Sequence, residues 1–418
     1  MIAPAPARPP SYRDAIAWLY ARHRAGAPRD PERMRSLMGA LALHPTPHGV
    51  HVVGTNGKGT VSAMLAAGLS AGGARSGRFV SPHVEDFRER IAVGGAPISR
   101  EAVRDFVAHA ATLTLAPAPA FFELTLALAL RAFARHGVTW GVFEAGVGGA
   151  RDATRALEPM ALVVLTNVAL DHLETLGPDV ASIARDKAGA LRPGVPVVTG
   201  ADGEALAVVR AEAARLGCPL YVDDGRTPLF ELPATAAGLR CELPADGARR
   251  RNARLAAAGL RLLGLREPAV AAGLAAPPLP ARGERFTVAA GRQVVLDGAH
   301  DPAAAALLAR SLPPGYVLVF GALPRKQGAA TLAALEPAAS AVLVTEAVAG
   351  EPPLPDLRGR RYIPEPLAAL RAALREAAPD ATVVVAGSLY LAGRVRPGLR
   401  RMARRAAAAT KDAPATLA

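Results

Sequence analysis

Lysine is nearly missing from this chain. Arginine supplies 45 of its 49 basic residues, and three of the only four lysines, Lys58, Lys187 and Lys326, fall inside motif-like segments. Cysteine is scarcer still: Cys218 and Cys241 are the only two and form no C-x-x-C pair. That leaves no basis for a disulfide framework or a cysteine-built metal site, and it fits a reducing compartment. Long apolar runs are absent too. No segment offers the roughly 18 uninterrupted apolar residues of a membrane span, and residues 1–10, MIAPAPARPP, lack a continuous signal-peptide core. A cytoplasmic protein with no membrane partner is expected.

The charge balance is +13, from 49 basic and 36 acidic residues. Such an excess permits nucleic acid, an anionic surface or acidic small molecules as partners. The arginines are scattered among alanines, as a compositional bias would leave them, and no RNA- or DNA-binding signature accompanies them. Small acidic substrates, no nucleic acid and a monomeric chain are therefore the expectation.

At 418 residues the chain exceeds what one core usually fills, so two domains are expected. Short β-branched runs recur at 50–53, Val138–Phe143, Leu162–Thr166, Val195–Thr199, Gln293–Leu296, Val317–Phe320, Ala341–Val344 and Thr382–Val385. The stretches between them are long enough for crossover helices, which predicts an α/β fold throughout. The proline-rich stretch 275–280 reads as a linker and divides the chain into 1–278 and 279–418. Residues 402–418 read as a frayed helix and tail. No internal repeat is visible.

The segment Gly54-Thr55-Asn56-Gly57-Lys58-Gly59-Thr60 follows the apolar run at 50–53 and precedes the helical pattern Val61-Ser62-Ala63-Met64-Leu65. That order predicts strand, phosphate loop and helix. Glycines let backbone N–H groups approach an anion, a helix N-terminus adds positive potential, and an ammonium reaches phosphate oxygens as a point charge. The spacing departs from G-x-x-x-x-G-K-[ST], because Gly59 separates Lys58 from Thr60.

Two further strand ends carry chemistry. Glu144 closes one strand and precedes the glycine turn Gly146-Val147-Gly148-Gly149; a third strand leads to Leu170-Asp171-His172. Ligands of open α/β sheets bind at that edge, so a phosphate grip, a carboxylate and an imidazole converge on one crevice. Taken singly, Glu144 also reads as a helix-start acid and His172 as a capped loop histidine. Lys187 reads as a solvated helix lysine, or as an amine retained for chemistry that guanidinium cannot do, such as carbamate formation. Asp297 ends a strand of the second half, and His300, three residues on, reads by itself as a core-satisfied histidine rather than a site residue.

In this order these segments resemble the folylpolyglutamate synthase/dihydrofolate synthase family, relatives of the Mur ligases. The likeness runs from about residue 11 to 396 and includes Ser81-Pro82-His83, Glu89-Arg90-Ile91, Phe122-Glu123-Leu124-Thr125, Asp152-Ala153-Thr154, Lys187-Ala188-Gly189, Pro280-Ala281-Arg282, Asp297-Gly298-Ala299-His300 and Gly387-Ser388-Leu389-Tyr390-Leu391. The resemblance implies a Mur-ligase-like fold, with an N-terminal P-loop ATPase domain on a parallel-rich sheet and a smaller, Rossmann-like C-terminal domain. It implies an ATP-dependent ligase that joins L-glutamate to a pteroate or folate carboxylate through an acyl phosphate. Both reactants are anionic, so metal and basic groups must offset charge where the phosphoryl group transfers.

By the same resemblance, Thr55, Asn56, Gly57, Lys58, Gly59 and Thr60 hold the ATP phosphates. Asn252, Arg282, Asp297 and His300 contact the nucleotide, so catalysis implies domain closure. Ser81, Glu144, His172 and a carbamylated Lys187 ligate two Mg²⁺ ions, and Lys58, Glu144, His172 and Lys187 form the catalytic set. Phe121, Phe122, Glu123, Arg151 and Asp152 fall where the family binds its pterin-containing substrate. The chain departs from the family pattern at Pro324-Arg325-Lys326-Gln327, which keeps the lysine and loses two acids, and at Asp301 and Arg155, both expected as asparagine. These departures bear on glutamate binding and on acceptor choice, dihydropteroate or tetrahydrofolate, with both acceptors favoured. A non-catalytic ATP-binding relative, another Mur-type amino-acid ligase and a nucleotide-dependent nucleic-acid binder are the competing readings.

Overall fold

The structure is a computed structural model, and the residues described are 10–22, 29–46, 48–223, 235–236, 239–240, 247–323, 327–352, 357 and 360–411. Cys241 and the Pro324-Arg325-Lys326 segment lie outside them. The chain divides into two compact units, one carried by the sequence up to Pro277 and the other by the sequence from Pro278, with 246–248 grouped in the second.

The first unit is built on eight strands: β1 His48–Val53, β2 Ser76–Phe79, β3 Ile91–Val93, β4 Ala96–Pro97, β5 Trp140–Glu144, β6 Met160–Leu165, β7 Val197–Thr199 and β8 Leu220–Val222. Their order is β4-β3-β2-β5-β1-β6-β7-β8. Strands from β2 to β8 pair in parallel, and β3 and β4 add an antiparallel edge. The order has a direct consequence for chemistry. Four adjacent parallel strands, β2, β5, β1 and β6, release the chain at one carboxyl edge, and they lead to Ser81, Glu144, the phosphate loop and the 166–172 segment.

Side chains alternate faces along each strand. Val50, Val52, Val142 and Val164 point to the face covered by Val61, Met64 and Leu65 of the helix Lys58–Ala71 and by Leu255 and Leu260 of the helix Ala248–Leu262. Phe79 and Phe143 point the other way, onto Leu126, Leu130 and Phe133 of the helix Phe121–Arg135. Each such buried side chain contributes about 1.5–3 kcal/mol. The two layers therefore fix the sheet rigidly beneath its carboxyl edge.

Two-residue strands β9 (235–236) and β10 (239–240) form an antiparallel pair. The second unit holds β11 Glu284–Thr287, β12 Gln293–Leu296, β13 Tyr316–Phe320, β14 Ala339–Val344, β15 Arg361–Tyr362 and β16 Val383–Ala386. Their order is β11-β12-β16-β13-β14-β15, parallel except at β11–β12. One expectation is corrected here: the terminal helix does not start at 402. It is the second half of a single helix, Leu389–Lys411, that continues through Pro397.

Candidate active site

Gly57 adopts φ +85° and precedes the helix Lys58–Ala71, so its N–H and those that follow are turned toward the loop. The loop's shape is set by the segment after β6. Thr55 N–H donates to the Asn167 carbonyl (3.0 Å), Asn56 N–H to Asn167 Oδ1 (2.9 Å), and Thr166 Oγ1 to the Asn56 carbonyl (2.6 Å). Asn252 lies against it: a Cβ on Gly57 would sit 2.2 Å from Asn252 Oδ1. Gly57→Ala therefore meets both a clash and a left-handed backbone, and it should cost about 1–3 kcal/mol in a urea titration and weaken nucleotide binding.

Two lysines converge on the first glycine. Lys58 Nζ donates to the carbonyls of Gly54 and Thr55, each at 3.0 Å, and Lys187 Nζ donates to the same Gly54 carbonyl at 2.9 Å. One acceptor shared by two ammonium groups holds the nitrogens within about 6 Å of each other. Lys187 is only 3% exposed. Burial, and next the charge of Lys58, lowers its pKa to about 7. An amine that is half neutral near neutral pH is a nucleophile, which an arginine could not be.

Ser81 and Glu144 meet at the neighbouring strand ends, where Ser81 N–H donates to Glu144 Oε2 at 3.1 Å. Beyond Glu144, the glycine turn is held by two carboxylates. Asp152 Oδ2 accepts from the N–H groups of Gly146 and Val147, each at 3.0 Å, and Asp186 Oδ1 accepts from Gly149 N–H at 2.8 Å. Arg29 donates to the Val147 carbonyl and pairs with Asp186 at 3.7 Å. Asp186 is next to Lys187, so the turn and the buried amine share one support.

His172 stands at φ +52°, a strained value for a residue with a Cβ, and its side chain is 41% exposed. Its Nε2 lies 3.5 Å from Asp171 Oδ2. Among the described residues no three His, Cys, Asp or Glu side chains gather as a metal-holding group. Ser81 and Glu144 are thus brought together, whereas His172 is turned to Asp171. A carboxylate with a serine at the neighbouring strand end still suits Mg²⁺, which takes few protein oxygens and keeps its waters. Carbamate formation would add a further oxygen donor at Lys187.

The residues expected to face the acceptor divide by role. Phe121 stacks on Tyr20 (5.0 Å between centroids), the Arg90 guanidinium lies 5.1 Å from the Phe121 centroid, and Phe122 packs edge-on to Phe79 and over Gly146. His83 accepts from Arg90 Nε at 2.7 Å, and burial, then the Arg90 charge, lowers its pKa to about 4. The ring is therefore neutral at physiological pH. Arg151 is exposed, while Asp152 spends its carboxylate on the turn.

Glu123 is also committed. Its Oε2 accepts from Ala120 N–H at 2.6 Å and its Oε1 from Arg33, at 2.6 Å from the guanidinium NH2. Breaking a buried pair strands a charge, so Glu123→Ala should lower unfolding free energy by about 3–5 kcal/mol in denaturant titration. Replacing both partners by leucine should recover much of that loss.

In the second unit Asp297 Oδ2 accepts from Gly283 N–H (2.6 Å) and Oδ1 from Ala299 N–H (2.7 Å). Burial pushes its pKa up and the Arg282 charge pulls it back; His300 Nδ1 lies 2.9 Å from the Gly298 carbonyl. Asp301 caps the helix Pro302–Arg310 through Ala304 N–H, work that asparagine does equally well. Arg155 donates to the Gly189 carbonyl at the end of the Lys187 helix. Sequence reasoning missed Arg29, Arg33, Asn167 and Asp186. Only Asp186, adjacent to Lys187, carried a signal that could have found it.

A phosphate loop at the carboxyl edge of a parallel sheet, with a second α/β unit after it, defines the Mur-ligase class of fold. The family described as Mur ligase, glutamate ligase domain matches residues 281–389. The apo form of L. casei FPGS is 31% identical, with a TM-score of 0.78 over 94% of this chain and 100% of that one. The chain thus belongs to the folylpolyglutamate synthase/dihydrofolate synthase family. The bifunctional folylpolyglutamate synthase/dihydrofolate synthase of Yersinia pestis, complexed with AMPPNP and Mn ion, is 29% identical, with a TM-score of 0.81 over 96% of this chain and 100% of that one. The dihydrofolate synthase/folylpolyglutamate synthase of Bacillus subtilis is 38% identical over 209 residues, 48% of either chain. The aligned stretches cover 24%, 48% and 51% of the first curated relatives, so the chain spans about half their length or less. No helix among the described residues is long and apolar enough to cross a membrane.

Proposed function

We propose that this chain is an ATP-dependent acid–amino-acid ligase that joins L-glutamate to the carboxylate of a pteroate or folate. A carboxylate oxygen of the acceptor attacks the γ-phosphorus of ATP, and ADP leaves. The amine of L-glutamate then adds to the acyl carbon, loses a proton and expels phosphate, so one amide, one ADP and one phosphate form per cycle. The observation that carries the reading is the meeting of Lys58 and Lys187 on the Gly54 carbonyl, at the carboxyl edge where Ser81 and Glu144 also meet.

In this reading the unit before Pro278 is the ATP-binding ligase domain and the unit after it the C-terminal α/β domain. Lys58 and the N–H groups of Gly57, Gly59 and Thr60 neutralise the phosphates, with Thr55 and Asn56 shaping the loop and Asn252 fixing Gly57. Ser81, Glu144, His172 and a carbamylated Lys187 would hold two Mg²⁺ ions, which supply positive charge where the phosphoryl group transfers. Arg282, Asp297 and His300 serve the nucleotide from the second domain. Phe121 and Phe122 offer an aromatic wall to the acceptor, while Glu123 and Asp152 hold the backbone that shapes it and Arg151 stands at its exposed side. The enzyme is taken to act as a monomer in the cytoplasm.

Purified protein should release ADP only when Mg²⁺, acceptor and L-glutamate are all present. Folded protein that turns over with neither dihydropteroate nor tetrahydrofolate would overturn the assignment. Running both acceptors in one assay decides between one activity and two.

A further inference from the structure

The central strand β1 carries a histidine where its neighbours are valines. His51 is fully buried on the face opposite the Lys58–Ala71 helix, in register with Phe143 and Val163. Its Nε2 lies 2.7 Å from Thr154 Oγ1, and Thr154 Oγ1 donates to Asp152 Oδ1 at 2.6 Å. A hydroxyl has one hydrogen. Since Thr154 gives its own to Asp152, it must accept from His51, so the ring is the Nε2–H tautomer with a bare Nδ1. The surroundings agree, because among the described residues the buried Nδ1 has no hydrogen-bond partner and a proton there would be stranded. Burial, then the charges of Arg192 and Arg155, holds the His51 pKa well below its ordinary value and keeps the ring neutral.

The far end of this chain of bonds is the glycine turn. Asp152 Oδ1 also accepts from Thr154 N–H, and its Oδ2 accepts from Gly146 and Val147. With both N–H groups on one oxygen, any rotation of the Asp152 carboxylate moves the turn that begins two residues after Glu144. The ring of Phe122 lies against Gly146. We infer that His51 is a positioning residue: through Thr154 and Asp152 it locks the glycine turn against the strand that carries the phosphate loop, and so places the acceptor acid relative to the phosphates. This inference rests on the ligase reading above for its kinetic consequence only.

The test compares His51→Met, which keeps volume and removes the donor, with His51→Gln, whose amide nitrogen reaches the Nε2 position. Losing the donor should speed amide hydrogen exchange at Gly146 and Val147 about tenfold and raise the KM for the acceptor about tenfold, with the KM for ATP unchanged. His51→Gln should restore both. Unchanged exchange at the turn, or equal rises in the KM of ATP and acceptor, overturns the inference. In the unaltered protein, ¹⁵N NMR should show His51 neutral with a proton on Nε2; a proton on Nδ1 overturns it even if His51→Met does not fold. Should the unaltered protein form no amide, the ligase reading has failed, and the exchange and NMR readouts still decide the role of His51.

Discussion

Lys58→Met is expected to lower kcat/KM for ATP by about a thousandfold, within the range for removing a charge that faces a transferring phosphoryl group. The side chain already reaches across the loop to two carbonyls at 3.0 Å, so its ammonium is held where phosphate oxygens would approach the Gly57–Thr60 N–H groups. Lys58→Arg should restore little. A planar fork is wider than an ammonium, and the second amine, Lys187, occupies the other side of the same Gly54 carbonyl. Steady-state kinetics with equilibrium binding of ATP measures both effects; a Lys58→Met enzyme within tenfold of the unaltered one would remove the loop from the chemistry.

Lys187→Ala and Lys187→Arg should each cost about a hundredfold or more in kcat, the scale of losing one charge-stabilising group. The reason differs from that at Lys58. Only a free amine adds CO₂, and the lowered pKa of about 7 means the free amine grows as pH rises through neutrality. Carbamate content and activity in bicarbonate buffer should therefore rise together through pH 7. Small carboxylates should partly rescue the alanine variant and not the arginine one. The same shift links to stability: between about 7 and 10.5 the unfolded chain holds a proton that the buried amine has released, so stability rises with pH across that window. Labelling with ¹³C-bicarbonate should show a lysine carbamate, and fully active enzyme bearing an unmodified amine would end this part of the account.

The sequence read most clearly where physics is local. The eight β-branched runs correspond to β1, β5, β6, β7, β12, β13, β14 and β16, because strands covered on both faces are mostly apolar. The remaining strands were not legible. β2 is Ser-Gly-Arg-Phe and β11 is Glu-Arg-Phe-Thr, neither of them an apolar run, and β3, β4, β8 and β15 are only two or three residues long, too short to stand out. Missing β2 mattered, since it delivers Ser81 to Glu144.

Within the site, the scarcity of lysine by itself pointed to Lys58 and Lys187. What composition could not show is where each carboxylate points. Asp152, Glu123 and Asp297 all direct oxygens at backbone N–H groups, and Arg33 and Glu123 meet across 90 residues of chain. Such pairings follow from tertiary packing and leave no periodic trace. The His51–Thr154 bond, across 103 residues, is of the same kind.

The most direct test of the proposed reaction follows one oxygen. If the acceptor carboxylate attacks ATP and glutamate later expels phosphate, an acceptor labelled with ¹⁸O in that carboxylate must pass one labelled oxygen to each phosphate released. Phosphate carrying one ¹⁸O per amide formed is the predicted result; unlabelled phosphate would contradict it.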